Sequence, residues 1–562
     1  MKTAANFGAL LFTLTFALVA HAPFAQNLQQ GTPTPQSTAA PQSATSTTAP
    51  PAAPPTAPKS QSALTSPALL HAQDLYRSGN LDLAAAEYNA IIAGNGPDAA
   101  AAFAGLARVY LKQKKPLDAY PAAQKAAALD PHLAAAHVAL AEVYFRQGKL
   151  SEAEHEFQIP LKEKTPDARA YLGLSRIYRA TSNYKLAKTA LDAAHQLDPD
   201  DPEIRRPWLS TLSLKDRIKA LQEYLTSHTN DDDDTRENLE HSLVVLEDES
   251  NRPVLGCHLE NKIAATQTKL ERLLIDAKRI RGYGLKVKFN DTTARLLLDT
   301  GAGGILVNRK IAEKAGIQNV VEQKFGGIGD KGKAGGYVGY AESLQIGELQ
   351  FKNCYVDVVD NNRSLNEDGL IGADVFAHFL VDIDFPNESF KLSELPKLPD
   401  EPAETATLDT SKTSAYHPHD RYIAPEMQSY TKVFRLGHML LIPVSVNDHP
   451  AKLFLIDTGS FDNTITPAAA RESTKIYSDD RMHVKGLNGE VKNVFMAEDV
   501  NLIFAHFKQK KTIVAFDLTH ISDSAGTEIS GTLGFGMLFM LDIKIDYRDG
   551  LVDFTFDPNR FH

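Results

Sequence analysis

The sequence predicts a multidomain chain, an α-helical repeat solenoid followed by two small all-β barrels. Three observations predict it. Tyrosines and alanines recur every 34 residues in the first half, the pattern changes to short apolar strands beyond residue 280, and one strand ending in Asp-Thr-Gly occurs twice. A chain of 562 residues with 43% hydrophobic and 23% charged content has ordinary globular composition and room for several cores. Its 59 Lys+Arg against 70 Asp+Glu give a formal charge of −11 with no dense basic run, which argues against a nucleic-acid partner. Two cysteines, Cys257 and Cys354, are too few for a disulfide framework or a four-cysteine zinc site. They could bond to each other in an oxidising compartment or stay free. The 18 histidines form no ligand-spaced cluster, so neither a metal nor another cofactor is expected.

Residues 1–25 read as a secretory signal peptide: Lys2, a mostly apolar run from Ala9 to Ala20, then the small-x-small pattern Ala20-His21-Ala22. The run is short for a membrane span, although an uncleaved anchor is the alternative. No second long apolar stretch occurs, so no membrane span is expected after signal removal and the chain is expected to be periplasmic or secreted. Residues 26–65 are rich in Pro, Thr, Ser and Ala, with Lys59 their only charge, and read as a disordered tether.

Over residues 66–248 the repeat predicts a solenoid with capping helices. Tyr76, Tyr110, Tyr144 and Tyr178 keep one interval, as do Ala85, Ala119, Ala153 and Ala187, while Pro97, Pro131, Pro166 and Pro199 close the units. The small alanine lets two helices approach closely, and the proline ends the second. These units resemble the tetratricopeptide repeat, a helix–turn–helix of that length. In the first unit Asn89 stands where that family has a large apolar residue, and Gly105 and Gly173 lie near its small positions. Residues 202–248 read as a capping helix pair plus a linker, and Asp231–Asp234 as a solvated loop. The resemblance implies a concave face able to hold a protein partner, on a unit that folds independently of the barrels.

The chemistry lies in the two barrels, 280–395 and 430–562, joined by a polar linker at 396–429. Leu296-Leu297-Leu298-Asp299-Thr300-Gly301 and Phe454-Leu455-Ile456-Asp457-Thr458-Gly459 are apolar strands that each end in a carboxylate, a hydroxyl and a glycine. Leu370-Ile371-Gly372 and Leu533-Gly534 come later in each barrel, and Gly372 to Asp384 and Gly534 to Asp546 are both twelve residues, so this half reads as a tandem duplication. The pair resembles the retropepsin-like domain of the aspartic proteases. That resemblance implies an Asp299–Asp457 dyad sharing one proton, Thr300 and Thr458 locking the two loops crosswise, and Gly301 and Gly459 giving amides to the carboxylates. Gly372 and Gly534 would pack beneath the loops. It implies glycine-rich flaps too, at Gly327-Ile328-Gly329 and at Gly486-Leu487 with Gly489. Gly327, Gly329 and Gly332 also match the spacing of a dinucleotide fingerprint, but outside the strand-to-helix setting that gives that spacing meaning. Thr532 breaks the apolar pattern of the second motif. The expected function is hydrolysis of a peptide or protein substrate by an exported aspartic-type endopeptidase. The competing reading is a non-catalytic periplasmic peptide-binding adaptor.

Overall fold

The computed structural model describes residues 11–13, 66–162, 166–227, 231–252, 256–261, 263–360, 367–399, 419–479 and 482–556. Of the expected leader, Leu11–Thr13 is described, as a short strand parallel to His483–Gly486. The tether lies outside the described residues.

Eight helices from Pro67–Arg77 to Tyr184–Leu197 form the four units. Their cores are alanine-rich because close helix approach leaves room for little else. Where space opens, one ring fills it: Tyr88 lies against Gly105 and Phe157 against Gly173, each so close that a Cβ on the glycine would overlap the ring. The large residue of the first unit is therefore Tyr88, and Asn89 is exposed, bonding the Ala85 carbonyl.

The first helices of the units turn toward a common centre, and their own side chains occupy it. Tyr76 donates to Glu203 at 2.9 Å across the whole repeat array. Arg169 reaches Glu203 at 3.0 Å and Asp201 at 2.8 Å, Lys112 reaches Glu203 at 3.0 Å, and Arg108 and Arg169 both approach Glu142 at 3.4 Å. The concave face expected to hold a partner is thus taken up by an internal ion network. Burial alone would raise the Glu203 carboxyl, but Arg169, Lys112, Arg176 and Arg108 hold it well below the usual carboxylate range. Replacing one member leaves the opposing charges buried without compensation. Glu203→Ala is therefore expected to cost about 3–5 kcal/mol. Because the folded carboxyl is the more acidic, its contribution is present at neutral pH and should fade as pH drops below ~4.3, the unfolded value. Thermal melting of wild type and variant between neutral and acidic pH checks both points.

The cap differs from the expected helix pair and linker. It has three helices, Pro202–Leu209, Leu214–Ser227 and Asp233–Ser250. Asp232 caps the last one by accepting from the Thr235 amide at 2.9 Å, so the acidic run is a helix start and not a loop. That helix lies along the first lobe: Glu237 meets Lys324, Asp234 meets Lys333, and Asp248 accepts from the Tyr355 hydroxyl at 2.6 Å.

The first lobe starts before residue 280. Ala265–Lys269 pairs with Ser389–Glu394, Glu271–Asp276 pairs with Arg279–Phe289, and Cys257 is disulfide-bonded to Cys354 of the Leu349–Val359 strand. These early strands are polar on their exposed faces, which is why no apolar run marks them. Each lobe is a twisted sheet, one built from strands between His258 and Gly372, the other from strands between Phe434 and Gly534. A six-stranded sheet joins them. At its centre Phe379–Asp384 pairs antiparallel with Asp542–Asp546, with Ile383 opposite Ile543, so the two echo strands meet across the lobes. Residues 419–429 of the expected linker are a docking segment. The Tyr184 amide donates to the His419 carbonyl at 2.9 Å, the Leu186 amide to Asp420 at 3.0 Å, and Arg421 donates to the Asp549 and Val433 carbonyls.

The solenoid is not independent of the barrels. Phe145, Leu150 and Phe157 belong to one continuous apolar core with Met439, Leu441, Leu453, Leu455 and Phe516 of the second lobe. Gly148 sits against Leu453, the Phe145 and Arg146 carbonyls accept from Thr527 and from the Glu528 amide, and Arg146 and Lys114 both meet Asp523.

Candidate active site

Each Asp-Thr-Gly segment follows an apolar strand because the strand must run through the lobe centre to deliver its carboxylate to the interlobe face. Asp299 ends Thr292–Asp299, and Asp457 ends Lys452–Asp457. Gly369–Gly372 lies parallel beside the first strand, with Gly372 opposite Asp299, and Gly531–Gly534 lies parallel beside the second, with Gly534 opposite Asp457. Thr532 is accommodated in that buried strand because its hydroxyl meets the Thr464 hydroxyl at 2.9 Å.

The two loops are locked crosswise. The Thr300 amide donates to Thr458 Oγ1 and the Thr458 amide to Thr300 Oγ1, both at 3.0 Å. The hydroxyls in turn donate to the Ile456 carbonyl at 2.8 Å and the Leu298 carbonyl at 2.9 Å. Each threonine hydroxyl and amide is thereby paired, across 158 residues of sequence. Asp299 Oδ1 accepts from the Gly301 and Ala302 amides at 2.9 and 3.2 Å. Asp457 Oδ1 accepts from the Gly459 and Ser460 amides at 3.0 and 2.9 Å. Both triplet glycines face the opposite carboxylate: a Cβ at Gly459 would lie 2.2 Å from Asp299 Oδ2, and one at Gly301 would lie 2.9 Å from Asp457 Oδ1. No side chain fits there.

Asp299 and Asp457 are both fully buried. Burial pushes the Asp299 carboxyl up to about 6, against the pull of the Gly301 amide, the Asp457 hydrogen bond and the Ala302 amide. Asp457 is pushed further up, by burial first and then by the Asp299 charge. Two close carboxyls cannot both ionise, so one proton stays with the pair.

The two segments expected as flaps meet each other. Gly327, Ile328 and Gly329 lie in the loop between Gln318–Phe325 and Ala334–Ile346, and Gly486, Leu487 and Gly489 lie in the hairpin of His483–Gly486 and Gly489–Glu490. The tips clasp each other: the Asn488 amide donates to the Ile328 carbonyl and the Lys331 amide to the Asn488 carbonyl, both at 2.9 Å. Gly329 has φ +127°, and its missing side chain makes room for the Asn488 peptide. The apolar tips are exchanged. Leu487 packs with Leu297, Leu306, Phe325 and Val359 of the first lobe, while Ile328 joins the second-lobe core with Leu455 and Val484.

One neighbour of the site escapes any reading of motifs. His438, in the turn between Phe434–Leu436 and Met439–Val446 of the second lobe, lies against Gly303 of the first-lobe loop. Asp374, two residues after Gly372, accepts from the Gly304 amide at 3.0 Å on the same loop. Among the described residues no His, Cys, Asp and Glu side chains gather in a group that could hold a metal ion, and no helix is long and apolar enough to cross a membrane.

Comparison with known proteins agrees with both halves of the chain. Residues 285–375 match the aspartyl protease family model, and residues 69–134 and 110–177 match tetratricopeptide repeat models. DNA damage-inducible protein 1 of Kluyveromyces lactis is 25% identical over 134 residues, which is 23% of this chain and 31% of that protein. The match thus spans about a third of the curated relative. The crystal structure of an aspartic proteinase from Irpex lacteus is 12% identical, with a TM-score of 0.33, covering 53% of this chain and 99% of that one. By the family models, the chain joins tetratricopeptide repeats to an aspartyl protease domain.

Proposed function

We propose that the chain is an exported aspartic-type endopeptidase that cleaves peptide or protein substrates through Asp299 and Asp457. The observation that carries this reading is the crosswise Thr300–Thr458 lock, which sets two buried carboxylates side by side with their Oδ1 atoms already occupied by backbone amides. Each carboxylate lies against the glycine of the opposite loop, so the two carboxyls are close. The ionised member of the pair takes a proton from a water, and the water attacks the scissile carbonyl carbon. The protonated member gives its proton to the carbonyl oxygen, and collapse of the tetrahedral species with proton return to the nitrogen breaks the C–N bond. No covalent enzyme intermediate is needed. An extended peptide reaches the dyad once the flap tips part, and the pockets filled by Leu487 and Ile328 become open to its side chains.

The N-terminal apolar run and the Cys257–Cys354 bond both support export to an oxidising compartment. With the concave face filled by Glu203 and its partners, a protein partner of the solenoid would use its outer surface. The experiment is a proteome-wide cleavage assay with wild type beside the Asp299→Asn, Asp457→Asn double variant. New peptide termini are expected with wild type alone. Their absence at every pH from acidic to neutral would favour the peptide-binding adaptor.

A further inference from the structure

Five hydrogen bonds among the described residues join the two glycine-rich segments, and all of them run between lobes. The Asn488 amide donates to the Ile328 carbonyl and the Lys331 amide to the Asn488 carbonyl, both at 2.9 Å. The Asp330 amide donates to the Glu490 carbonyl at 3.2 Å, Asn488 Nδ2 to the Gly327 carbonyl at 3.3 Å, and the Lys492 amide to Asp330 Oδ2 at 2.8 Å. The apolar tips show where this clasp sits. Side chains two apart on a strand share a face, so Leu297 lies on the face of Asp299, and Leu455 on the face of Asp457. Leu487 belongs to one small apolar cluster with Leu297 and with Ala302 of the loop after Asp299. Ile328 belongs to the cluster that contains Leu455. Each tip is thus seated on the face from which the opposite lobe presents its carboxylate.

We propose that this clasp is an autoinhibitory gate: the two tips hold each other closed across the approach to Asp299 and Asp457, and a peptide binds only the fraction of molecules in which they have parted. The proposal rests on the dyad reading above and adds its regulation. A ligand that needs a minor state binds more weakly in proportion to the population of that state. The gate therefore acts on KM, and saturating substrate overcomes it. The clasp is also built to open. Asn488 is buried, and its Oδ1 has no hydrogen-bond partner among the described residues. A buried acceptor left unpaired is costly, so parting the tips recovers part of what the five bonds contribute. Asp330 is the one carboxylate that bonds across the clasp, and its side chain is exposed, so removing it leaves no cavity in either lobe. Losing one such charge-assisted bond shifts an open–closed equilibrium by about tenfold.

The test uses the full chain and two variants that loosen the clasp by different means. Asp330→Ala removes the acceptor of the Lys492 amide. Gly329→Ala adds a Cβ that would lie 2.3 Å from the Asn488 carbonyl carbon, so the tips cannot meet as they do. On a short peptide from the cleavage assay, Asp330→Ala should raise kcat/KM about tenfold through a lower KM with kcat unchanged, and Gly329→Ala should raise kcat/KM as well. In hydrogen exchange, the Asn488 and Lys331 amides should be protected in wild type and exchange faster in both variants. Faster exchange with kcat/KM unchanged or lowered would overturn the gate, as would tip amides that exchange at the free rate in wild type. Association of a fluorescein-labelled unstructured peptide with leucine at its centre, measured in the Asp299→Asn, Asp457→Asn background, separates the gate from the chemistry. Faster association once Asp330→Ala is added would uphold the gate even where no chain cleaves, and the missing cleavage would then count against the dyad reading alone. Equal association, or none with either chain, would overturn the gate whether or not wild type cleaves.

Discussion

Asp299→Asn and Asp457→Asn are each expected to reduce kcat by about a thousandfold or more, the range lost when an acid–base group is removed. The double variant should be scarcely worse than either single one. The reason is geometric. The carboxylates share one proton, so each needs the other to divide into acid and base, and groups that act as one unit do not contribute independently. The pH profile should be bell-shaped, because activity needs one ionised and one protonated member. Both carboxyls are raised, Asp299 to about 6, so the working range is displaced from strongly acidic toward neutral pH. Activity should fall on the acid side as the pair gains a second proton and on the basic side as it loses the shared one. Stability supplies an internal control. Relieving two buried carboxyls of their mutual repulsion should leave the melting temperature of Asp457→Asn equal to or above that of wild type. A single variant that retains most of its turnover, or inactivation that merely follows a fall in melting temperature, would remove the basis for the pair.

The pair was legible in the sequence because its chemistry is written locally, as an apolar strand, a carboxylate, a hydroxyl and a glycine, twice. The two glycine-rich segments were legible as turns for the same reason, and Gly329 and Gly489 both take positive φ. The contact of His438 with the first loop was not, because Gly303 lies more than 130 residues earlier in the chain and His438 stands in an ordinary Gly-His turn. Nor were the early strands of the first lobe, where Leu273 is the one buried side chain of Glu271–Asp276 and leaves too weak an alternation to read. The filled concave face did leave a signal. Arg108, Glu142 and Arg176 are spaced by 34 residues, as are Arg169 and Glu203, so charge alternates at the repeat interval. Opposite charges in equivalent positions of successive units predict a network between first helices rather than an open groove. The Cys257–Cys354 bond could not be chosen from two cysteines alone, since it depends on the His258–Leu259 strand pairing with Leu349–Val359.

Removing the solenoid, by starting the chain at residue 231, is expected to cost the second lobe its cooperative fold. Sequence periodicity suggests two independent units, because each has enough apolar residues for a core of its own. The interface shows why that count misleads. Leu453 lies in a strand whose residues from Leu453 to Ile456 are all buried, and Gly148 of the third repeat covers it. Thr527 and the Glu528 amide bond to carbonyls at the end of the Ala134–Arg146 helix, and Asp523 meets Lys114 and Arg146 there. The docking segment at His419–Arg421 holds the fourth repeat in the same way. Exposing a buried leucine-sized side chain costs about 2 kcal/mol. Three or four such losses, together with Asp523 left without its cations, approach the ~5–15 kcal/mol that holds a whole domain. The truncated chain should therefore melt without a sharp transition and lose turnover of even a short unstructured peptide. A milder variant separates the interface from the mere presence of the repeats: Gly148→Phe should force the solenoid away from Leu453 and lower the melting temperature of the second lobe while leaving the repeat helices formed. A truncated protein that unfolds cooperatively and cleaves a short peptide at the full rate would mean that the shared core adds nothing to the fold of the lobe, and that the repeats serve recognition alone.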